Sequence, residues 1–490
     1  MYKSSRLLFF ILLLKSTVVF SQFQSGIFSS NFSGIMGVHV NPAGTSWLSD
    51  GADFLPLAFG IEALNNGFYL DAKPITHYLN RSLADIANDT LIDNAINNLK
   101  SRYRLKKNLQ PDGYARIHGV VFGPSLLINH RKRSFGFITS LKTYTSGVNM
   151  PPEMISFIFD AGEPSSINLN KPFSTSGFNF ASANFLDLGY TNSNLVFNSA
   201  FDQVRFGFNA RFLIGITSFF FNDFGSTYTI NSDTSITFKD AGFKYGYAAH
   251  RPSLKEKLLT PRAGGTALDI GVLYVRKKYP SPTRVKKKCP NIYGYYRDYQ
   301  TYKWRFGASV TDIGSLFFFN QTYYRKVENI NYNYKGADSL VLSAISKFDV
   351  NVKSRIAAQS GVTYNERSSF NMVMPTRLNL QFDAHLKNHW YAGFLLSQRI
   401  SIPGLIAIRS ANIITSSLRY ETQYFEFALP VSVIEYNYPT AGLYARIGFL
   451  FFGTNTLPEL IGVRNIKNLD FYMGIKVNLG FVGSRFGMGF

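Results

Sequence analysis

Between Gln203 and Ile216 the chain alternates for fourteen residues without a break. One parity carries Val204, Phe206, Phe208, Ala210, Phe212, Ile214 and Ile216, all apolar, while the other carries Gln203, Arg205, Gly207, Asn209, Arg211, Leu213 and Gly215. A period of two puts these sets on opposite faces of an extended strand. The same split recurs where Tyr302, Trp304, Phe306, Ala308 and Val310 oppose Lys303, Arg305, Gly307 and Ser309. It recurs again where Leu378, Leu380, Phe382 and Ala384 oppose Arg377, Asn379, Gln381, Asp383 and His385, and where Phe471 to Phe481 alternate with Tyr472, Gly474, Lys476, Asn478 and Gly480. Alternation also describes a soluble sandwich with one wet face. Length argues against that: fourteen residues at about 3.3 Å each span about 46 Å, and a tilt of about 40° leaves roughly 35 Å, more than the ~25 Å apolar band of an outer-membrane barrel. Placing Arg205 or Arg211 toward lipid at the midplane would cost about 2 to 4 kcal/mol each, so the apolar parity faces out.

Composition agrees with lipid-facing strands. Of 490 residues only 17% are charged, and 46 Phe and 29 Tyr stand against 3 Trp. A mean hydropathy of -0.03 is low for a helical membrane protein, and after the first twenty residues no apolar run approaches the ~20 residues of a spanning helix. The expected fold is therefore all-β, a transmembrane outer-membrane barrel of roughly twelve to sixteen antiparallel strands forming one domain over residues 22–490.

Lys3 and Arg6 precede the apolar run Leu7 to Leu14, which Lys15 interrupts, and small or apolar residues follow to Ser21. This reads as a signal peptide over residues 1–21, cleaved after Ser21. The lone Cys289 excludes an intramolecular disulfide, so packing and strand closure must supply stability. From Ile75 to Leu99 apolar residues recur at spacings of three to five, a small helical insertion over about 75–100 that would serve as plug, lid, cap or rim helix. A second insertion is expected over about 336–358. Asn129 to Ser134, with His130, Arg131, Lys132 and Arg133, reads as a basic hairpin turn, and Arg284 to Gln300 as a long basic, Tyr-rich loop.

The net charge of +21 raises the question of nucleic acid. Aromatic and basic residues occupy opposite parities, so they cannot build one mixed platform, and no nucleic acid is expected. The excess cations suit anionic solutes or the phosphates of lipopolysaccharide. Catalytic patterns are missing: no Gly-x-Ser-x-Gly elbow, phosphate loop or His-Glu-x-x-His helix occurs, and the seven histidines show no metal spacing. No enzyme, metal or cofactor is expected. The best dyad is Asp383 with His385, two apart on one face. The lumen-lining candidates are Arg205, Arg211, Lys303, Arg305, Asp383, His385 and Lys476, with Glu421 and Glu426 paired to Arg419 or Arg446 in a solvated network.

Asn41, Pro42, Ala43 and Gly44 resemble the Asn-Pro-Ala element of FadL-type hydrophobic-compound transporters and of the PorV barrel of type IX secretion. Blocks at Ser30 to Gly44, Gly264 to Tyr274, Phe306 to Gly314, Pro375 to Asp383, Ser417 to Pro430, Arg446 to Gly453 and Asp470 to Ile475 resemble a Bacteroidota family of outer-membrane barrels known only as a domain of unknown function. The resemblance implies the bacterial cell outer membrane, about fourteen strands and an N-terminal segment entering the barrel as a plug. It also implies either FadL-like passive passage of a small hydrophobic or amphipathic solute, or a PorV-like structural barrel docking a secretion or surface-assembly partner. The terminal Phe490, with Phe486 and Met488 on its parity, resembles the signal that barrels present to the insertion machinery.

Overall fold

The computed structural model describes residues 26–27, 30–47, 51–76, 106–108, 113–130, 132–153, 155, 170–175, 177–232, 235–248, 260–278, 302–335, 349–350, 352–422 and 424–478. The signal-peptide reading, most of the 75–100 helical insertion, the Arg284 to Gln300 loop and the C-terminal aromatic signal lie outside the described residues.

Fourteen antiparallel strands close into a barrel among the described residues. They are β1 (Gly51–Asn65), β2 (Gly113–Phe122 continued by Ser125–His130), β3 (Arg133–Met150), β4 (Asn179–Asn198), β5 (Asp202–Asp223), β6 (Ala263–Lys277) and β7 (Tyr302–Phe318). They continue with β8 (Phe370–Val373 and Arg377–Lys387), β9 (Trp390–Arg399), β10 (Ile413–Glu421), β11 (Phe425–Ile434), β12 (Tyr438–Ala441 and Leu443–Ile447), β13 (Leu450–Thr454) and β14 (Leu469–Asn478). β14 returns to β1 with Asp53 opposite Asn478 and Ala63 opposite Leu469, which closes the ring and leaves no edge.

The two ends differ. Where β1 begins and β14 ends, most connections are short, as at 199–201, 388–389 and 448–449. The opposite end carries the long ones, including 66–112, 151–178, 224–262 and 319–369. This is the asymmetry of outer-membrane barrels, with short periplasmic turns and longer external loops. The connection 278–301 departs from it, since Lys277 and Tyr302 both lie at the short-turn end.

β4 and β5, of 20 and 22 residues, outrun the closed wall. Beyond Gly215, where pairing with β6 stops, β5 pairs from Ser218 to Asp223 with Ser235–Ala248. That strand in turn pairs with Thr322–Lys335, which pairs with Thr363–Arg367. The resulting extension sheet buries Phe238, Phe243, Tyr245, Val327 and Ile330 with Val352 and Ile356. The latter two belong to the single helical turn Val352–Ile356, which lies within the expected second insertion, described at 349–350 and 352–358.

The β5 parity runs as the sequence indicates. Arg205, Gly207, Asn209, Arg211, Leu213 and Gly215 point inward and are buried, while Phe206 and Phe212 are exposed to the outside. Around the ring Phe137, Leu188, Ile270, Val272, Phe382, Phe394, Leu418, Val431 and Ile475 are likewise exposed, an apolar band facing lipid. Tyr274 packs against Trp304 and Trp390 against Tyr420 toward the short-turn end, the position of an interfacial aromatic girdle. Ile270 lies halfway along β6. Ile270→Arg is expected to destabilise the folded barrel by about 2 to 4 kcal/mol in reversible urea titrations in phospholipid vesicles, because its head would enter hydrocarbon at mid-depth.

One candidate is corrected here. Lys277 pairs with Tyr302 and Arg276 with Trp304, so Lys303 is the extra residue of a β-bulge. The bulge turns Tyr302 inward, fully buried, and leaves Lys303 exposed at the rim instead of lining the lumen.

Candidate functional site: a lumen stoppered from both ends

The N-terminal segment enters the barrel as two short 3-10 turns, Gly34–His39 and Pro42–Trp47. Asn41, Pro42 and Ala43 are buried against β4, β5, β6 and β7. Three wall glycines make the fit. Gly207 and Gly271 are register partners on β5 and β6, and Gly307 on β7 faces Leu273. A Cβ on Gly207 would meet Ala43 N at 2.5 Å, one on Gly307 would meet Asn41 Nδ2 at 2.7 Å, and one on Gly271 would run into the Asn41 carboxamide. The bare wall lets the motif's backbone approach as no side chain would permit.

Hydrogen bonds then hold the motif. Asn41 Oδ1 accepts from Ala43 N at 3.0 Å, an Asx turn, while Asn41 Nδ2 donates to Val272 O at 3.1 Å. Ser193 Oγ donates to Ala43 O at 3.1 Å, Thr45 shares a 2.8 Å bond with Ser134, and Ser309 and Asn379 both donate to Val40 O. Gly44 follows at the partly exposed edge, and a Cβ there would meet nothing.

Charged side chains grip the start of the segment. Lys476 Nζ donates to Phe32 O, and the Arg446 guanidinium lies over the Phe32 ring at 4.1 Å. Asn31 Nδ2 donates to Glu421 at 2.7 Å and to Tyr302 at 3.1 Å, and Ser30 Oγ donates to Glu426 at 2.8 Å. Gly34 takes φ +55°, and a Cβ there would strike Asp53 and come within 2.9 Å of Lys476 Nζ. A plain turn residue would thus meet both strain and a clash at this position.

The lumen cations do not line open water. Asp383 receives Arg305 and Arg419, each at 2.9 Å, and the Tyr302 hydroxyl at 2.5 Å. Arg419 also pairs with Glu421 at 2.9 Å, and Arg446 with Glu426 at 3.2 Å. These are the pairings expected of Glu421 and Glu426, but the network is buried, not solvated: Arg419, Glu421 and Glu426 are each 0% exposed. A second cluster lies further up the lumen. Arg211 reaches Asp187 at 2.9 Å, Asp269 at 3.0 Å and Asp312 at 2.6 Å, while Lys142 pairs with Asp187 at 2.6 Å and Arg377 with Asp312 at 3.0 Å. Three carboxylates thus meet three cations from six different strands, a charge-balanced brace across the wall.

His385 is not part of either cluster. Its Nε2 lies 2.7 Å from Asn388 O and its ring stacks on Tyr391, so the Asp383 carboxylate does not orient the imidazole. Arg205 is buried on the inner wall, where it donates to Gln203 at 3.4 Å. The structure therefore brings together Arg305 and Asp383, gathers Arg211 with acids not singled out from sequence, sets Lys476 against the plug, and leaves Lys303 and His385 apart. Among the described residues no group of three or more His, Cys, Asp or Glu could hold a metal.

Above the second cluster the inner wall turns apolar. Phe185, Leu213, Phe220, Leu316, Phe318, Phe370, Met372 and Met374 are buried there. The connection 400–412 folds down onto them. Its Ile406 and Ile408 join the same cluster, and Ala407 makes a parallel bridge to Val373. Arg409 N then donates to Ser146 Oγ on β3 at 3.1 Å, so the segment crosses the lumen from β9 to the far wall. Lys244 Nζ holds it from the extension sheet, donating to Gly404 O at 2.8 Å. This inward loop was missed by strand periodicity. The apolar stretch Ile402 to Ile408 was the available signal, although only its Ile406 and Ile408 go inside while Ile402 and Leu405 stay exposed.

A closed ring of strands with a lipid-facing band, stoppered by its own N-terminal segment, defines a plugged outer-membrane β-barrel. Within that class the chain belongs to the family of unknown function DUF5723, whose model matches residues 53–455. No curated protein matches it. Among solved structures, the TodX deltaS2S3 mutant monoaromatic hydrocarbon channel is similar with a TM-score of 0.40 and 9% identity, covering 91% of this chain and 94% of that one. The Pseudomonas putida toluene transporter TodX follows at 0.36 and 10%, covering 94% and 98%. The translocator domain of the autotransporter NalP from Neisseria meningitidis scores 0.28 at 8% identity, covering 87% and 88%. Likenesses of this size carry no argument about what the chain binds or moves.

Proposed function

We propose that the protein is a passive outer-membrane transporter that admits a small apolar or amphipathic solute from the long-loop end. The observation that carries this is the apolar inner wall between loop 400–412 and the buried charge cluster. A water-filled porin has no use for Phe185, Phe318, Phe370 and Met372 on its lumenal face, whereas an apolar solute replaces their contacts with Ile406 and Ile408 at little cost. Below this wall the charge clusters and the Asn41 segment bar water and ions, so passage requires the plug to shift while the strands stay closed.

The test is saturable binding of a neutral aromatic probe such as benzyl alcohol to the purified protein, followed by calorimetry. Leu316→Asp is expected to weaken that binding at least about tenfold, since a carboxylate left unpaired among apolar side chains opposes occupancy by more than about 1.4 kcal/mol. Heat-modifiable mobility checks that the variant remains a folded barrel. Absence of saturable binding, or equal binding by Leu316→Asp, would overturn the reading.

The docking reading is favoured by a different observation, the extension sheet that outruns the wall. Such a sheet offers a partner a platform clear of the membrane. Thr363→Arg with Asn365→Arg, on the exposed last strand of that sheet, separates the readings: loss of a co-purifying partner with unchanged solute binding supports docking there, and removal of Arg284 to Gln300 tests that loop in the same way.

A further inference from the structure

The outer wall carries two concavities that adjoin on β3 and β4. The first, of about 430 Å³, lies at the short-turn end and is lined by Lys132, Arg133, Asn192, Asn194 and Leu195. The second, of about 780 Å³, is an apolar groove higher on the same face. Register joins them. Arg133 is opposite Asn194, Phe135 opposite Asn192 and Phe137 opposite Tyr190 on β3 and β4, all on the outward parity. Asn192 closes the lower pocket and Tyr190, the next outward residue of the same strand, opens the groove, so one same-face step of about 7 Å separates them.

The groove exists because its floor is small. Ala210, on the outward parity, lies between the exposed side chains Phe137, Leu188, Phe212 and Ile313. The groove crosses the strands along one ladder row, Phe137, Tyr190, Ala210, Leu268 and Ile313, from β3 to β7. The lower pocket has the opposite chemistry. Lys132 and Arg133 are exposed, and neither has a carboxylate partner among the described residues. Leu195 N donates to Lys132 O at 2.8 Å and Asn194 Nδ2 to Asn192 Oδ1 at 2.5 Å, which ties the turn to the wall and sets the two carboxamides side by side. Exposed Val196 and Phe197 flank it, as residues at a headgroup boundary do.

We propose that this face holds one anionic glycerophospholipid of the periplasmic leaflet, its phosphate on Lys132 and Arg133 and one acyl chain in the groove that crosses the strands over Ala210. Charge complementarity selects the occupant: two cations without acid partners at headgroup depth, adjoined by an apolar groove. The proposal rests on the barrel being embedded in a bilayer and is independent of what the lumen carries.

The experiment is native mass spectrometry of the full folded chain in detergent, titrated with palmitoyl-oleoyl phosphatidylglycerol. Wild type is expected to retain a single lipid. Lys132→Gln with Arg133→Gln is expected to weaken retention at least tenfold, and Ala210→Trp, which fills the groove without touching the cations, to weaken it comparably. Inorganic phosphate at millimolar concentration is expected not to displace the lipid. Equal retention by wild type and both variants, or displacement by phosphate alone, overturns the site. Failure of the chain to insert into vesicles at all would instead strike at the membrane-embedded barrel, a separate readout.

Discussion

Arg211→Met is expected to be among the most damaging single substitutions in the wall, destabilising the barrel by about 3 to 5 kcal/mol, because removing one partner from a buried ion cluster leaves uncompensated charge. The Arg211 side chain is 2% exposed and bonds three carboxylates, Asp187, Asp269 and Asp312, on three other strands. Lys142 and Arg377 would remain to face all three acids. Reversible urea unfolding in phospholipid vesicles reads the loss. Arg211→Met combined with Asp269→Leu, which restores charge balance, is expected to recover part of it, and the double-mutant cycle gives the coupling directly. A single variant as stable as wild type would show that the cluster is not the brace its distances describe.

Gly207→Val is expected to unseat the plug while leaving the barrel closed. Valine suits a strand, and Gly207 faces inward opposite the bare Gly271 of β6. What its Cβ meets is the plug's backbone: Ala43 N at 2.5 Å, Pro42 C at 2.6 Å and Ala43 Cα at 2.7 Å. Backbone cannot rotate aside as a flexible side chain does. An overpacking cost of about 1 to 3 kcal/mol falls almost wholly on the seated state, shifting the ratio of unseated to seated plug by about 5- to 150-fold. The readout is labelling of Thr45→Cys by a bulky maleimide in a Cys289→Ser background, Thr45 being buried at 1% exposure in the seated segment. The rate is expected to rise by that factor. Unchanged labelling with unchanged stability would mean that the segment yields without leaving.

Much of the wall was legible before any coordinates. The β5 parity, the outward Phe471, Met473 and Ile475 of β14, and the strand count all stand in the structure as read from sequence and resemblance. A period of two is a local signal, set by the pleat itself, so it survives without knowledge of neighbours. It fails where one residue is inserted. Lys303 sits on the expected parity of β7, yet the bulge opposite Arg276 and Lys277 reverses the faces there, and Tyr302 goes inside. Nothing in the local pattern of β7 announces a bulge, since it is defined by the partner strand.

The candidate site was legible in part. Asn41 to Gly44 stood out as a motif, and Gly207 and Gly307 stood out as bare positions among lumenal cations, while Gly271 did not. That these bear on one another is a fact of register between β5, β6 and β7, not of spacing along the chain. Loop 400–412 and the apolar inner wall were not seen, because alternation reports which side chains share a face and not what that face meets.

The amino-acid sequence by itself determined a lipid-facing wall of strands, since only lipid suits long runs with every outward position apolar. It also determined that the excess cations point inward or lie in loops. Tertiary structure alone decided that those inward cations are buried and paired instead of wet. Closure of the ring brings Arg211 to three aspartates from separate strands, and entry of the N-terminal segment covers Glu421, Glu426 and Asp383. A charge buried without its partner is costly, and the partners here lie up to some hundred residues away along the chain, as Asp312 does from Arg211.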